Sequence, residues 1–210
     1  MNAAPPAFAH RGDDLVAWSD AYAAGDHVSA TDIHAAVARA LQPLLPRYRH
    51  LRARHLFHLA DETADHFVQV QRGKNILTLH FGLTHHAVER SRAALLGAED
   101  APSLHAPRTI AMWSANIGPF SKSWPLPYRV DWPVLGHEGL ALALPEIQAF
   151  VEEHVRPYLE RHRDPEAIRA TCLDPHPRTA FFLQAASTVA AVDHLLGRDV
   201  LGGSARGERL

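Results

Sequence analysis

Histidine is the residue of this chain whose type and spacing most invite chemistry: sixteen occur among 210 residues, against a single cysteine, Cys172. A metal centre needs two to four converging N, O or S donors, supplied in sequence by a tight pair on one helix face or across neighbouring strands. The chain holds no HExxH, HxH or CxxC. His55, His80 and His85, with His86 as an alternative to His85, form the best constellation for a divalent metal. A metal-assisted hydrolase is the enzyme reading they support. His154 and His162 stand eight apart, about 12 Å along a helix, too far for one ion. In Asp174-Pro175-His176-Pro177 a carboxylate and an imidazole share a rigid loop. That is the composition of a base with its orienting acid, and equally of a proline-bounded connection. Cys172 among apolar neighbours reads as a core filler. Ser114, Ser121 and Ser123 lack a GxSxG context.

Two further groups suit binding rather than catalysis. Gln69, Gln71 and Thr78 alternate along extended segments and fall on one polar face, next to His80. Trp113, Trp124 and Trp132, with Phe120 and Tyr128, crowd a Pro-rich stretch, where aromatic rings anchor cores or wall a ligand surface. A basic run, Arg47-Tyr48-Arg49-His50-Leu51-Arg52-Ala53-Arg54-His55, interleaves guanidiniums with rings, a pattern that engages phosphates and bases. The same cations after a helix end also complement its dipole with no partner at all.

The elements that must position these residues follow from periodicity. Arg54 to Thr84 reads as three antiparallel strands joined at Asp61-Glu62-Thr63-Ala64 and Gly73-Lys74. Alternation puts Val68, Val70, Leu77, Leu79 and Phe81 on a core face, with Leu56 and His58 alongside. His55, Phe57, Leu59, Phe67, Gln69, Gln71, Thr78 and His80 go to the opposite face. Before the strands, Leu15, Trp18 and Tyr22 suggest a short helix over 14–24. Ser29 or Thr31 caps a stronger helix reaching about Leu45, with Ile33, Val37, Leu41 and Leu44 on one stripe and Pro43 as an early stop. After them, a helix over 87–96 stops at Gly97. A fourth strand is expected over 108–117 and an irregular excursion over 118–139. Three closing helices follow. The first starts near Pro145 and kinks at Pro157, the second starts at Asp164-Pro165. The third runs over 178–196 with Phe182, Ala186, Val189 and Leu196 inward.

A helix ending in PLLPRY, a basic link RHLRAR, and strands HLFHLAD, HFVQVQRGK and ILTLHFGLT resemble the bacterial domain-of-unknown-function 4304 family, with Gly82 where that family carries a glycine. The likeness covers about residues 32–84. It implies a small stand-alone α+β protein, similar to some immunity and accessory proteins, and supplies no catalytic residue to carry over.

The expected architecture is α+β: an antiparallel meander of about four strands packed with an N-terminal helix and a C-terminal helical layer. It occupies 29–198 as one domain, between an extension over 1–28 and a flexible tail over 199–210. Apolar and charged contents of 47% and 21% are those of a folding globular chain. A formal charge of −2 speaks against a dedicated nucleic-acid protein while leaving room for a local patch. The opening residues lack the apolar run of a signal peptide or membrane span, so a cytoplasmic location without membrane contact is expected. The leading functional expectation is a non-enzymatic binding or accessory protein with no cofactor, whose partner is another protein or a second copy. A metal-assisted hydrolase and a basic-patch nucleic-acid binder stand behind it.

Overall fold

The computed structural model describes residues 27–73, 76–97, 110–112, 131–134, 136–173 and 185–198. Its elements are helix α1 (Ala30–Leu41), strands β1 (Arg49–Leu51), β2 (Leu56–Ala60), β3 (Ala64–Arg72) and β4 (Ile76–His85), helix α2 (His86–Leu95), strands β5 (Ile110–Met112) and β6 (Asp131–Pro133), then helices α3 (His137–Phe150), α4 (Arg156–Arg161), α5 (Pro165–Leu173) and α6 (Ala185–Leu195). The sheet order is β1-β2-β3-β4-β5, with β6 also pairing with β4. The fold is therefore α+β, built on an antiparallel β1–β4 sheet with an N-terminal helix and several C-terminal helices. Contacts divide the chain into two compact units: unit 1 holds 1–59, 67–81 and 112–158, and unit 2 holds 60–66, 82–111 and 159–210.

In unit 1, Ser29 caps α1. Its Oγ accepts the Asp32 N–H at 3.1 Å and donates to the Asp32 carboxylate at 2.6 Å, an arrangement worth about 1 kcal/mol. Ile33, Val37 and Leu41 are buried, and each full burial contributes roughly 1.5–3 kcal/mol. The helix gives way to turns at Gln42, since Pro43 brings no N–H to extend it. Val68, Val70, Leu77, Leu79 and Phe81 are buried as alternation requires. On β2 the faces are shifted by one from expectation. The Asp61 N–H donates to Ala64 O and the Val70 N–H to His55 O, so Phe57 falls opposite Val68, and His58 opposite Phe67. Accordingly Phe57 is fully buried, and His58 stacks on Phe67 at 5.0 Å. The hairpin loop, whose length sets register, accounts for the shift.

β6 pairs with the start of β4, Leu77 opposite Trp132. Helix α3 begins at His137, eight residues before the start expected at Pro145. Leu140, Ala143, Ile147 and Phe150 form a buried stripe that runs through the proline, and packing outweighs the one lost hydrogen bond. The expected kink near Pro157 is a π-type turn over Val151–Val155, in which the Arg156 N–H reaches back to Val151 O. The wider spacing accommodates a ring that has no N–H to donate. Phe150 meets Trp132 and Phe81 edge-on at 5.7 and 6.0 Å, and the Gln148 amide donates to Ala40 O at 2.9 Å, tying α3 to α1.

Unit 2 contains α2, α5 and α6. Gly97 and Gly197, at φ +66 and +68, end α2 and α6 in the left-handed conformation that glycine adopts at least cost. Asp164 caps α5 through the Glu166 N–H. On α6 the inward residues are Thr188, Ala191 and Val192; Ala186 and Leu196 are exposed, contrary to the expected stripe. Thr188 is drawn inward as a hydrogen-bond acceptor for Arg92, an attraction invisible to an apolar count. Phe182, the 14–24 helix, most of the 1–28 extension, the 199–210 tail, and most of 108–117 and 118–139 lie outside the described residues. No helix among the described residues is long and apolar enough to cross a membrane.

Candidate functional site

Unit 1 contains a cleft of about 850 Å³ lined by Ala30, Thr31, His34, Ala35, Ala38, Arg39 and Gln42 of α1 and its C-cap, and by His50, Arg52 and His55 of the β1–β2 region. Its origin is legible in α1. Core residues Ile33, Val37 and Leu41 make one stripe, and Thr31, His34, Ala35, Ala38 and Gln42 make a second at similar spacing. The alanines on that second stripe leave space, and His34 supplies a ring. The volume is in the range of small-ligand sites, which combine apolar walls with few polar groups.

The opposite wall is held in an unusual backbone conformation. Arg52–Arg54 form a single 3-10 turn closed by His55, whose φ of 48 and ψ of 41 are left-handed. It is the one non-glycine residue with positive φ among the described residues. That conformation costs roughly 1–2 kcal/mol for an L-residue and points from an observed outlier toward function. Both backbone groups of His55 are engaged: its N–H donates to Arg52 O and its carbonyl accepts from Val70 N–H. The turn aims the His55 ring onto His34, with centroids 3.4 Å apart and planes within 6°. His50 stacks on Phe57 at 4.6 Å.

Burial, then the charge of His55, then Arg72, push the His34 pKa below its ordinary value; burial, His55 and Arg52 do the same to His50. Both shifts favour the uncharged form of these two rings, which for His34 suits face-to-face stacking. The fixed positive charge of the cleft comes from Arg39 and Arg52, and none of its lining residues is acidic. His34 Nδ1 is buried with no hydrogen-bond partner among the described residues.

The expected polar row is present. Gln71 Nε2 donates to Gln69 Oε1 at 3.3 Å, the Thr78 hydroxyl donates to Gln71 O at 3.4 Å, and Thr78 Oγ1 lies 3.3 Å from His80 Nε2. Gln69 Nε2 donates to Arg54 O at 3.0 Å. Gln69 thus holds the turn that carries Arg52 and His55, which makes it a positioning residue for the cleft.

The three histidines of the metal reading have different settings. His55 lines the cleft. His80 is half-buried on β4, and burial lowers its pKa. His85 ends β4, five residues on and so on the other face. It caps α2: Nδ1 accepts the Val88 N–H at 3.4 Å and Nε2 lies 3.2 Å from Arg163 O. Among the described residues no group of three or more His, Cys, Asp or Glu side chains is placed to hold a metal ion. Trp132, expected at a ligand surface, is instead fully buried against Phe150, because β6 pairs into the sheet and turns the indole inward. Trp113, Trp124, Ser114, Ser121, Ser123 and the Asp174–Pro177 loop lie outside the described residues. Cys172 is buried, and burial pushes its thiol up to about 11, the setting of a core residue and not of a nucleophile. Sequence reasoning missed His34, Arg39 and Gln42; the small-residue stripe of α1 was the signal for them.

Compared with family models, curated proteins and solved structures, the chain matches none. The resemblance to the 4304 family rests on the helix end PLLPRY, the basic link RHLRAR and the three strand motifs.

Proposed function

We propose that this chain is a non-enzymatic binding or accessory domain whose ligand is anionic and seated in the α1–β1 cleft. The observation that carries this reading is the cleft lining: Arg39, Arg52 and three imidazoles, with no carboxylate among them. Guanidiniums hydrogen-bond phosphate or carboxylate groups in a planar, two-pronged fashion that few other side chains match. The strained His55 turn and the Gln69 brace support a preorganised seat, in which ordering costs are met on folding. Titration with phosphate and citrate, followed through the imidazole NMR signals of His34, His50 and His55, tests the reading. Saturable shifts that disappear in Arg52→Ala are expected. Signals indifferent to every anion, nucleotides included, would remove this reading.

A further inference from the structure

Resting on that reading, we infer that the ligand is a nucleotide: a phosphate held by Arg39 and Arg52, joined to a planar base that extends the His34–His55 stack. Three features point this way together. The first is ring geometry. His34 and His55 lie parallel at 3.4 Å, the separation of stacked aromatic planes, and both rings border the open cleft, so a third planar ring prolongs an existing stack. Base–aromatic stacking of this kind tolerates any base, since each has a π face.

The second is the setting of His34. Its Nδ1 is buried at the stack without a partner among the described residues. An atom closed to solvent is not reached from the cleft, so a base engages this ring through its face and not through that nitrogen.

The third is the distribution of charge. Arg47, Arg49, Arg52 and Arg54 are all exposed and have no ion-pair partner among the described residues. The overall charge of −2 is an average that hides this run, in which no Asp or Glu occurs. Of these four only Arg52 lines the cleft, and Arg47, Arg49 and Arg54 flank it in sequence. Such a surplus suits a nucleotide that is part of a single strand as well as a free one, and the two sources share the same chemistry at the cleft.

The test measures affinity for AMP, ribose 5-phosphate and a short single-stranded oligoadenylate at fixed ionic strength, using the full chain. AMP is expected to bind at least tenfold more tightly than ribose 5-phosphate. His34→Ala should erase that margin and leave ribose 5-phosphate within twofold, while Arg52→Ala weakens both at least tenfold. If His34→Ala fails to fold, Ala35→Trp, on the exposed side of α1, fills the cleft without entering the core and should abolish AMP binding. A strand as the source is shown by oligoadenylate binding more tightly than AMP, with log Kd rising against log salt at a slope of about 3.5, as Arg39 and the four cations of the run together predict. Equal affinity of oligoadenylate and AMP assigns the free nucleotide. Ribose 5-phosphate matching AMP, or AMP binding unchanged in Ala35→Trp, overturns the nucleotide inference and leaves the anion seat standing. Failure of all three ligands and of the simple anions removes both.

Discussion

The two units use arginine in opposite ways. In unit 2, Arg92 makes a doubly hydrogen-bonded pair with Glu89 at 2.7 Å, Arg163 meets Asp61 at 2.5 Å, Arg169 meets Asp193 at 2.6 Å, and Arg198 pairs with Glu166. In unit 1, Arg39, Arg47, Arg49, Arg52, Arg54 and Arg72 are all exposed, and none has an ion-pair partner among the described residues. A guanidinium already facing a carboxylate contributes to the fold and projects little field. One without a carboxylate keeps its charge available to whatever approaches. Of the 19 arginines, these four in unit 2 make a structural set and these six in unit 1 an exposed, unpaired set, which is the recognition set of the proposed ligand reading.

The contrast breaks most sharply at Arg92. Its side chain is 9% exposed and that of Glu89 2%, and Arg92 also donates to Thr188. Arg92→Ala should destabilise the protein by about 3–5 kcal/mol in denaturant unfolding, because the buried Glu89 carboxylate loses the guanidinium that faces it. Replacing both residues with apolar side chains of like volume should recover most of that loss. If Arg92→Ala is as mild as a surface substitution, the division between the two sets fails.

Asp61 gives the next largest effect. Burial pushes its carboxyl up, but the Arg163 guanidinium and the Ala64 and Thr63 N–H groups prevail and hold it at about 2. With the folded pKa depressed, the stabilisation is present above the unfolded value of 3.8 and is lost as pH falls through about 2. Partial exposure reduces its size to roughly 1–2 kcal/mol. Asp61→Asn should therefore flatten acid unfolding curves between those pH values and lower stability at neutral pH.

His85 sharpens the comparison through pH. Burial lowers its pKa below the usual 6.5, against the opposing hydrogen bond to Arg163 O. Its cap on α2 uses Nδ1 as acceptor, so the neutral ring is the stabilising form. That contribution is present above pH 6.5 and lost as the pH falls through the lower folded value. His85→Ala should cost about 1 kcal/mol at pH 7.5, and less at pH 5, as measured by thermal unfolding.

The smallest effects on stability belong to the recognition set. Arg47→Ala, Arg49→Ala and Arg54→Ala should each change stability by less than about 0.5 kcal/mol. His55→Gly relieves the left-handed backbone and should leave stability unchanged or raise it by up to about 1 kcal/mol, while removing one ring of the stack and weakening ligand binding. A marked loss of stability in any of the three arginine variants would place these cations in the structural set.

Much of the fold was readable from the chain. Alternation placed the β3 and β4 faces correctly, and Ser29, Gly97, Asp164-Pro165 and Gly197 marked helix ends where the structure has them. Two errors had a common source. Proline and glycine content places an irregular excursion over 118–139 and a helix start near Pro145, whereas the stripe from Leu140 to Phe150 lets α3 begin at His137 and run through Gly139 and Pro145. Trp132 was read by its Pro-rich neighbours, whereas strand pairing decided its burial. The cleft was half visible. The basic run names Arg52 and His55, but His34 meets His55 only because one residue adopts a left-handed conformation, and no periodicity encodes that.

The short first strand has a bearing on self-association. β1 stands at the end of the strand order and spans only Arg49–Leu51 before the chain curls into the 3-10 turn. An unpaired sheet edge is a template for another chain, and proteins blunt such edges with brevity, curvature and charge. Arg49 and Arg52 supply charge at both ends of an edge three residues long, which disfavours strand-to-strand pairing of two copies along β1. Substituting both with threonine should turn this edge into a nucleus for aggregation.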